Sequence, residues 1–288
     1  MGVDTHVLNF LRYASNKKPF GATITIGRQS LLVSEAVTRA TIHATPDYEH
    51  TEYCEDLLAG YFGASTVDSV DHSAYERASH IHDMNLPAPQ HLVGQFDTVF
   101  DGGCLEHIFN VPQALKNCSS FCKTGAQILH ILPANNFCGH GFWQFSPELF
   151  FSLYSKENGY SDTEVFLADL LNTRIWYRVQ TPANGKRVDV ASSNPLYVLV
   201  RTVRTGAEFS HANVQQSDYV HEWANRSRSN EAVPVKNRTI RQRLKKIPFV
   251  YQMLSPVYHW YLQRKRSPGL NGANPGLQLV RVHELISE

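Results

Sequence analysis

Residues 96–110, FDTVFDGGCLEHIFN, set an apolar run against an aspartate, two glycines, and then an adjacent carboxylate and imidazole. Asp101 closes the run, Gly102 and Gly103 leave the turn almost bare, and Glu106 and His107 open the next segment. A bare turn lets another group lie close to the backbone. An acid beside an imidazole can orient it to take a proton from a bound molecule. The competing reading is local: His107 bonds within its own helix start, as polar residues there commonly do. A second histidine, His140, stands between glycines in NNFCGHGFWQF, ahead of Phe142 and Trp143. Aromatic faces suit sugar rings and planar molecules, although aromatics in such a loop also serve as core. His82 and His130 fall inside strand-like runs and read as structural.

These residues need elements to position them. ATITI (22–26) is a β-branched run that stops at Gly27, as a buried strand does, and residues 52–62 have helical apolar spacing ending at Gly63. STVDSVDHS reads as a strand ending near Asp71; ASHIHDMNLPAP is extended until Pro87 and Pro89 break it. Residues 111–122 read as a helix with Pro112 in its first turn, stopped at Lys123-Thr124-Gly125 before the strand AQILHILP. Ser146-Pro147-Glu148 is a capped helix start, and that helix is expected to run to about Asn158-Gly159. DTEVFLAD and LYVLVRTV complete the strands around a loop at TPANGKRVD. Strands alternating with helices imply an α/β, doubly wound, Rossmann-like sheet that binds ligands at the carboxyl ends of its strands. Asp71, Asp83 and Asp101 all fall where a strand releases the chain, although each alone is an ordinary turn or cap residue.

The composition is that of a globular chain: 288 residues, 42% hydrophobic and 18% charged. No run reaches the roughly 18 apolar residues of a membrane span. The first residues lack a signal-peptide pattern. Five cysteines without a CxxC pair fit a reducing cytoplasm, with Cys118 and Cys122 as core thiols. The net charge of +1 hides an asymmetry, because residues 226–266 carry eleven Lys or Arg against Glu231 alone. Aromatics lie between the basic clusters of 236–266, a pattern suited either to peripheral contact with an anionic membrane or to packing on the fold or a sister subunit.

Three segments, SVDHSAYERASHIHDMN, FDTVFDGGCLEHIFNVPQALKN and KTGAQILHILPANNFCGHGFWQFSPELF, resemble the class I S-adenosylmethionine-dependent methyltransferases. The likeness is to the methyltransferase-11-like proteins associated with surface polysaccharide and natural-product pathways. It implies a methyltransferase domain over 20–205, a helical segment over 1–19 before it and a basic, aromatic extension over 206–288. It also implies S-adenosyl-L-methionine as cofactor. Asp71 would then accept from the ribose hydroxyls, Asp83 and Met84 would flank the adenine, and Asp101 with Gly102 would lie near the methionyl ammonium. One departure stands out: the first strand ends TITIGRQS, with Gly27 but neither the acid nor the glycine-rich turn of that family. Arg28 occupies the turn, where its guanidinium would either grip the cofactor carboxylate or fill the pocket.

Methyl transfer from a sulfonium needs alignment and exclusion of water, and a base only where the acceptor is protonated. The expected reaction is transfer to a hydroxyl of a small molecule or glycan. His107 is the first candidate base, Glu106 its orienting partner, and His140 the second candidate. The Leu-Glu-His element is also similar to that of small-molecule O-methyltransferases, some of which hold a metal there. One Glu–His pair falls short of a ligand set, so no metal is expected. The main rival is a catalytically degenerate binding or assembly protein, favoured by the altered first turn. A nicotinamide dehydrogenase lacks its G-x-G-x-x-G, and no recognition module for nucleic acid is present.

Overall fold

The computed structural model describes residues 2–45, 48–206, 209, 214–228, 255–257, 260–261 and 269–287. In chain order the elements are β1 (Gly2–Val3), α1 (Thr5–Lys17), β2 (Gly21–Ile26), β3 (Ser30–Leu31), α2 (Glu35–Ile42), α3 (Glu55–Tyr61), β4 (Ala64–Asp71), β5 (His80–Ile81) and β6 (Phe96–Asp101). They continue with α4 (Val111–Phe121), β7 (Cys122–Asn135), α5 (Pro147–Leu153), β8 (Tyr160–Asp169), β9 (Ile175–Val179), β10 (Leu196–Arg204), α6 (Ser217–Arg228), β11 (Leu277–Arg281) and α7 (Val282–Leu285). Leu105–His107 forms a short 3-10 turn between β6 and α4.

Among the described residues, nine strands make the main sheet, in the order β11-β9-β8-β10-β7-β6-β2-β4-β5. β2, β4, β5, β6 and β7 run parallel, and β10 lies antiparallel between β7 and β8. The chain builds outward from β2 in two directions, through β4 and β5 on one side and β6 and β7 on the other. Such a reversal opens a crevice beyond the carboxyl ends of the strands that flank it.

Burial on both faces explains the unbroken apolar runs of β2, β6 and β7. Alternate residues feed two cores. One face carries Ile24, Ile26, Val99, Ile128 and Leu132 against the stripe Val111, Ala114, Leu115, Cys118 and Phe121 of α4. The opposite face carries Phe100, Leu129, Ile131 and Phe166 against α1 and Trp176. Cys118 and Cys122 are buried free thiols of the first core.

Two local features differ from expectation. The helix capped by Ser146 stops at Leu153, and a 3-10 turn ends with Gly159 in the left-handed region (φ 79°). The turn frees the chain to enter β8 directly. β7 begins at Cys122, so Lys123-Thr124-Gly125 belongs to the strand rather than to a loop. β9 and β11 have no counterpart in the sequence reading. β11 pairs antiparallel with β9, adding a C-terminal strand to the edge of the main sheet. Most of 236–266, including both basic clusters, lies outside the described residues, and with it the membrane or packing role expected of that segment. Among the described residues, no helix is long and apolar enough to cross a membrane.

Candidate active site

The strand register gathers the candidate residues at one edge. Ile26 of β2 pairs with Val70 of β4 and with Asp101 of β6, Asp101 pairs with His130 of β7, and Asp71 pairs with Ile81 of β5. The chain therefore leaves β2, β4, β5 and β6 at a common level.

At the end of β2, Gly27 takes a positive φ of 70° and its N–H donates to the Val70 carbonyl at 2.8 Å. Gln29 then folds back into the interior, fully buried, with Nε2 donating to the Ile26 carbonyl at 2.7 Å. Its Oε1 makes no hydrogen bond among the described residues and lies 2.6 Å from where a Cβ on residue 102 would stand. Gly102 is bare because Gln29 fills the space a side chain would need. Arg28 spans the turn, its Nε 2.6 Å from Glu55 Oε1, a second donor on the Glu76 carbonyl at 2.9 Å, and its guanidinium 3.8 Å from the centre of the Tyr53 ring.

Asp101 turns inward. It is fully buried; Oδ1 accepts from the Cys104 N–H at 2.9 Å and Oδ2 lies 2.9 Å from His130 Nδ1. His130 Nε2 meets the Tyr154 hydroxyl at 2.6 Å, and the two rings stack. This chain ties the end of β6 to α5 and fixes where the 3-10 turn begins. A role for Asp101 at the methionyl ammonium requires one of these two bonds to open.

That turn carries Glu106 and His107. Glu106 is 1% exposed, and its carbonyl accepts from the N–H groups of Phe142 (2.7 Å) and Trp143 (3.3 Å). The Trp143 indole N–H donates to the Ile108 carbonyl at 3.0 Å. The loop after β7 is thus sewn onto the turn. Gly141 permits it, with φ at 70° and a prospective Cβ only 2.7 Å from the Glu106 carbonyl oxygen. The result places His140 Nε2 3.2 Å and His107 Nε2 3.8 Å from Glu106 Oε1, with the two imidazole centres 4.9 Å apart. Burial and the charge of Asp101 push the Glu106 carboxyl up to about 8. Burial and then His140 lower the His107 pKa. Glu106 is sealed from solvent, whereas the side chains of His107 and His140 are 42% and 51% exposed. Phe109 and Phe142 stand open to solvent beside them, edge to face at 6.3 Å. A proton can be passed within this group, and an acceptor can rest on the aromatic faces.

The remaining candidates stand at or just beyond the adjoining strand ends. Asp71 Oδ1 accepts from the Ser73 N–H at 3.0 Å. Asp83 Oδ1 accepts from the backbone and side chain of Asn85 at 2.9 and 2.7 Å, and those bonds hold its carboxyl below the usual range. Met84 is buried in the core with Sδ 3.9 Å from Asn117 Nδ2. The structure therefore brings Glu106, His107 and His140 into one cluster, sets Asp71 and Asp83 at adjoining strand ends, and turns Asp101 away into the interior. The sequence reading placed Gln29 in the first turn beside Arg28 but not its fold back into the interior, and it passed over Tyr154. Nothing local in the sequence marks Tyr154.

No family model and no curated protein matches the chain. Among solved structures it is similar to the N-methyltransferase NodS of Bradyrhizobium japonicum, in complex with S-adenosylhomocysteine, at 14% identity and TM-score 0.37 over 70% of this chain and 86% of that one. It is also similar to a 1,6-didemethyltoxoflavin-N1-methyltransferase of Burkholderia thailandensis at 12% identity and TM-score 0.38, over 70% and 78% of the two chains. A third is a SAM-dependent methyltransferase of Thermotoga maritima, at 13% identity and TM-score 0.33 over 69% and 91%. With β5, β4 and β2 on one side, β6 and β7 on the other, and β10 inserted antiparallel before β8, the chain has a doubly wound, Rossmann-like α/β sheet.

Proposed function

We propose that this protein transfers a methyl group from S-adenosylmethionine to a hydroxyl of a small-molecule or glycan acceptor. The observation that carries the reading is the convergence of Glu106, His107 and His140 beside the crevice that the sheet reversal opens. The cofactor would supply an activated methyl on a good leaving group. The side chains at the strand ends suit it. Asp71 and Asp83 provide carboxylate acceptors at the adjoining ends of β4 and β5, which suits a ribose diol and an adenine amino group. At the other end, Arg28 has to exchange Glu55 for the cofactor's own carboxylate, a like-for-like swap of ion pair.

The chain's contribution is to hold and deprotonate. Phe109, Phe142 and Trp143 give the acceptor an aromatic wall, and the Glu106–His107–His140 group takes the hydroxyl proton as the oxygen becomes the nucleophile. Holding the reacting atoms in line supplies most of the acceleration such a reaction needs. Incubation with S-adenosylmethionine and a panel of hydroxylated small molecules and glycans tests this reading. Release of S-adenosylhomocysteine, with the methyl found on acceptor oxygen, supports it. Methyl found on nitrogen alone would contradict the hydroxyl assignment.

A second reading is favoured by Gln29 and Arg28. Their side chains occupy the first turn, Gln29 wholly buried and Arg28 paired with Glu55. In that reading the fold serves binding or assembly without turnover. Binding of S-adenosylmethionine with no methyl transfer to any acceptor would favour it.

A further inference from the structure

Helix α1 is buried without a break from His6 to Leu11, and its core contacts include Val282 and Leu285 of α7. Asn16 Nδ2 donates to the Ile286 carbonyl at 2.8 Å, and the Val282 N–H to the Arg174 carbonyl at 2.9 Å. These bonds fix α7 across α1 and the start of β9. The elements do not close on one another completely. Between them lies a cavity of about 400 Å³, whose lining includes Asn9 of α1, Arg174 and Ile175, and Arg281, Val282 and Ile286. That volume is within the range of small-molecule sites. The cavity is distinct from the crevice, because β9, β8, β10 and β7 stand between β11 and β6 in the sheet.

Two side chains of the lining have no partner among the described residues. Asn9 is 9% exposed, and its side chain makes no hydrogen bond there. Its amide atoms are nevertheless not sealed in, so the accessible end of the residue is the one the cavity reaches. An amide offers two donors and an acceptor, and leaving it unmatched in the interior is costly. Arg174 is exposed, and its guanidinium likewise has neither ion pair nor hydrogen bond. Arg281 adds a second guanidinium, 3.0 Å from Glu284 Oε1 in a pair open to solvent on both sides. Such a pair is weak and exchanges readily. Beside these polar groups lie the apolar side chains of Ile175, Val282 and Ile286.

We propose that this cavity binds a small organic carboxylate with a compact apolar body. The lining selects each part of the ligand. The planar fork of a guanidinium matches a carboxylate with two parallel hydrogen bonds. Arg174 is free to take that role, and Arg281 joins it by exchanging Glu284 for the ligand. The aliphatic walls take the body, and its removal from water supplies the driving force. The Asn9 amide meets a further polar atom of the ligand, a carbonyl, hydroxyl or carboxylate oxygen, and so loses its unmatched state. The site stands apart from methyl transfer and does not depend on it.

Ligand-observed NMR and calorimetry on the full chain test it, with benzoate, 4-hydroxybenzoate and 4-methyl-2-oxopentanoate as probes. Saturable binding of one molecule per chain is expected for at least one of the three. The uncharged amide of the same acid should bind at least about 10-fold more weakly, as loss of a charge-assisted contact implies. Arg174 is exposed, so Arg174→Ala keeps the fold, and it should weaken binding by a similar factor. Asn9→Leu puts apolar volume in place of the unmatched amide. It should abolish binding while the protein melts no lower than the parent. S-adenosylmethionine titrated into both variants should behave as it does with the parent, which separates this site from the crevice. No saturable binding of any probe would mean that the cavity holds water only, and overturns the proposal. Binding that both variants leave unchanged overturns it by putting the probe elsewhere. Equal binding of acid and amide overturns it by removing the carboxylate.

Discussion

His140 Nε2 stands 3.2 Å from Oε1 of Glu106, a residue 34 positions earlier on a different connection of the sheet. Neither local sequence nor shared secondary structure brings them together. The pairing depends on two strand ends at the same level, β6 and β7, and on a loop bare enough at Gly141 to lie on the Glu106 carbonyl.

If that group removes the acceptor's proton, His107→Ala lowers turnover by about 10²–10⁴. Affinity for S-adenosylmethionine stays within a few-fold of the parent, since His107 lies outside the proposed cofactor contacts. Single-turnover rates beside calorimetric affinities check the split. Turnover preserved within a few-fold would remove His107 from the chemistry.

Asp71→Ala tests the nucleoside end. Loss of a charge-assisted pair of hydrogen bonds costs about 1.5–3 kcal/mol, a drop in cofactor affinity of roughly 10- to 150-fold. Asp71 is half-exposed at the end of β4, so the variant should unfold at nearly the parent's denaturant concentration. Unchanged cofactor affinity would take the ribose contact away from this residue.

His130→Phe addresses stability rather than turnover. The substitution keeps an aromatic ring but leaves the fully buried Asp101 carboxylate without its 2.9 Å partner, and the Tyr154 hydroxyl without its own. Breaking a buried pair from one side costs about 3–5 kcal/mol. Urea unfolding of parent and variant reads it directly. A loss below 1 kcal/mol would mean that Asp101 is not held as a charged partner.

Asp97 gives a pH dependence. Partial burial raises its carboxyl, but the Lys123 ammonium at 2.9 Å and the Ala22 N–H at 3.0 Å outweigh it and hold the group below its ordinary value. A depressed folded-state value stabilises the protein above the unfolded pKa of about 3.9. That contribution is lost as pH falls through the lower, folded value. Asp97→Asn should therefore cost roughly 1–2 kcal/mol at pH 7. The gap should narrow as unfolding is repeated at successively lower pH toward about 3. A gap independent of pH would contradict the ion-pair account.

Much of the scaffold was legible before the structure. The strands ending at Gly27, Asp71 and Asp101 and the helix over 111–121 follow from β-branched runs, helical spacing and Pro112 near the helix start. The pairing of β9 with β11 was not legible, because an edge strand completed from the C-terminal end leaves no periodic mark near its partner. At the site, the sequence supplied the acid and both imidazoles but not their meeting, because they lie on separate connections that only the strand register brings level. The inward turn of Asp101 also escaped it. A strand-end aspartate looks the same in sequence whether it faces a ligand or a buried histidine on the next strand.

Calorimetric titration of the full chain with S-adenosylmethionine, repeated in the presence of NADH, tests the central claim most directly. The account predicts saturable binding of one S-adenosylmethionine per chain, unaffected by NADH and weakened in Asp71→Ala. No heat of binding for S-adenosylmethionine, or displacement of it by NADH, would contradict the claim: the crevice beyond β2 and β6 would then serve another ligand, or none.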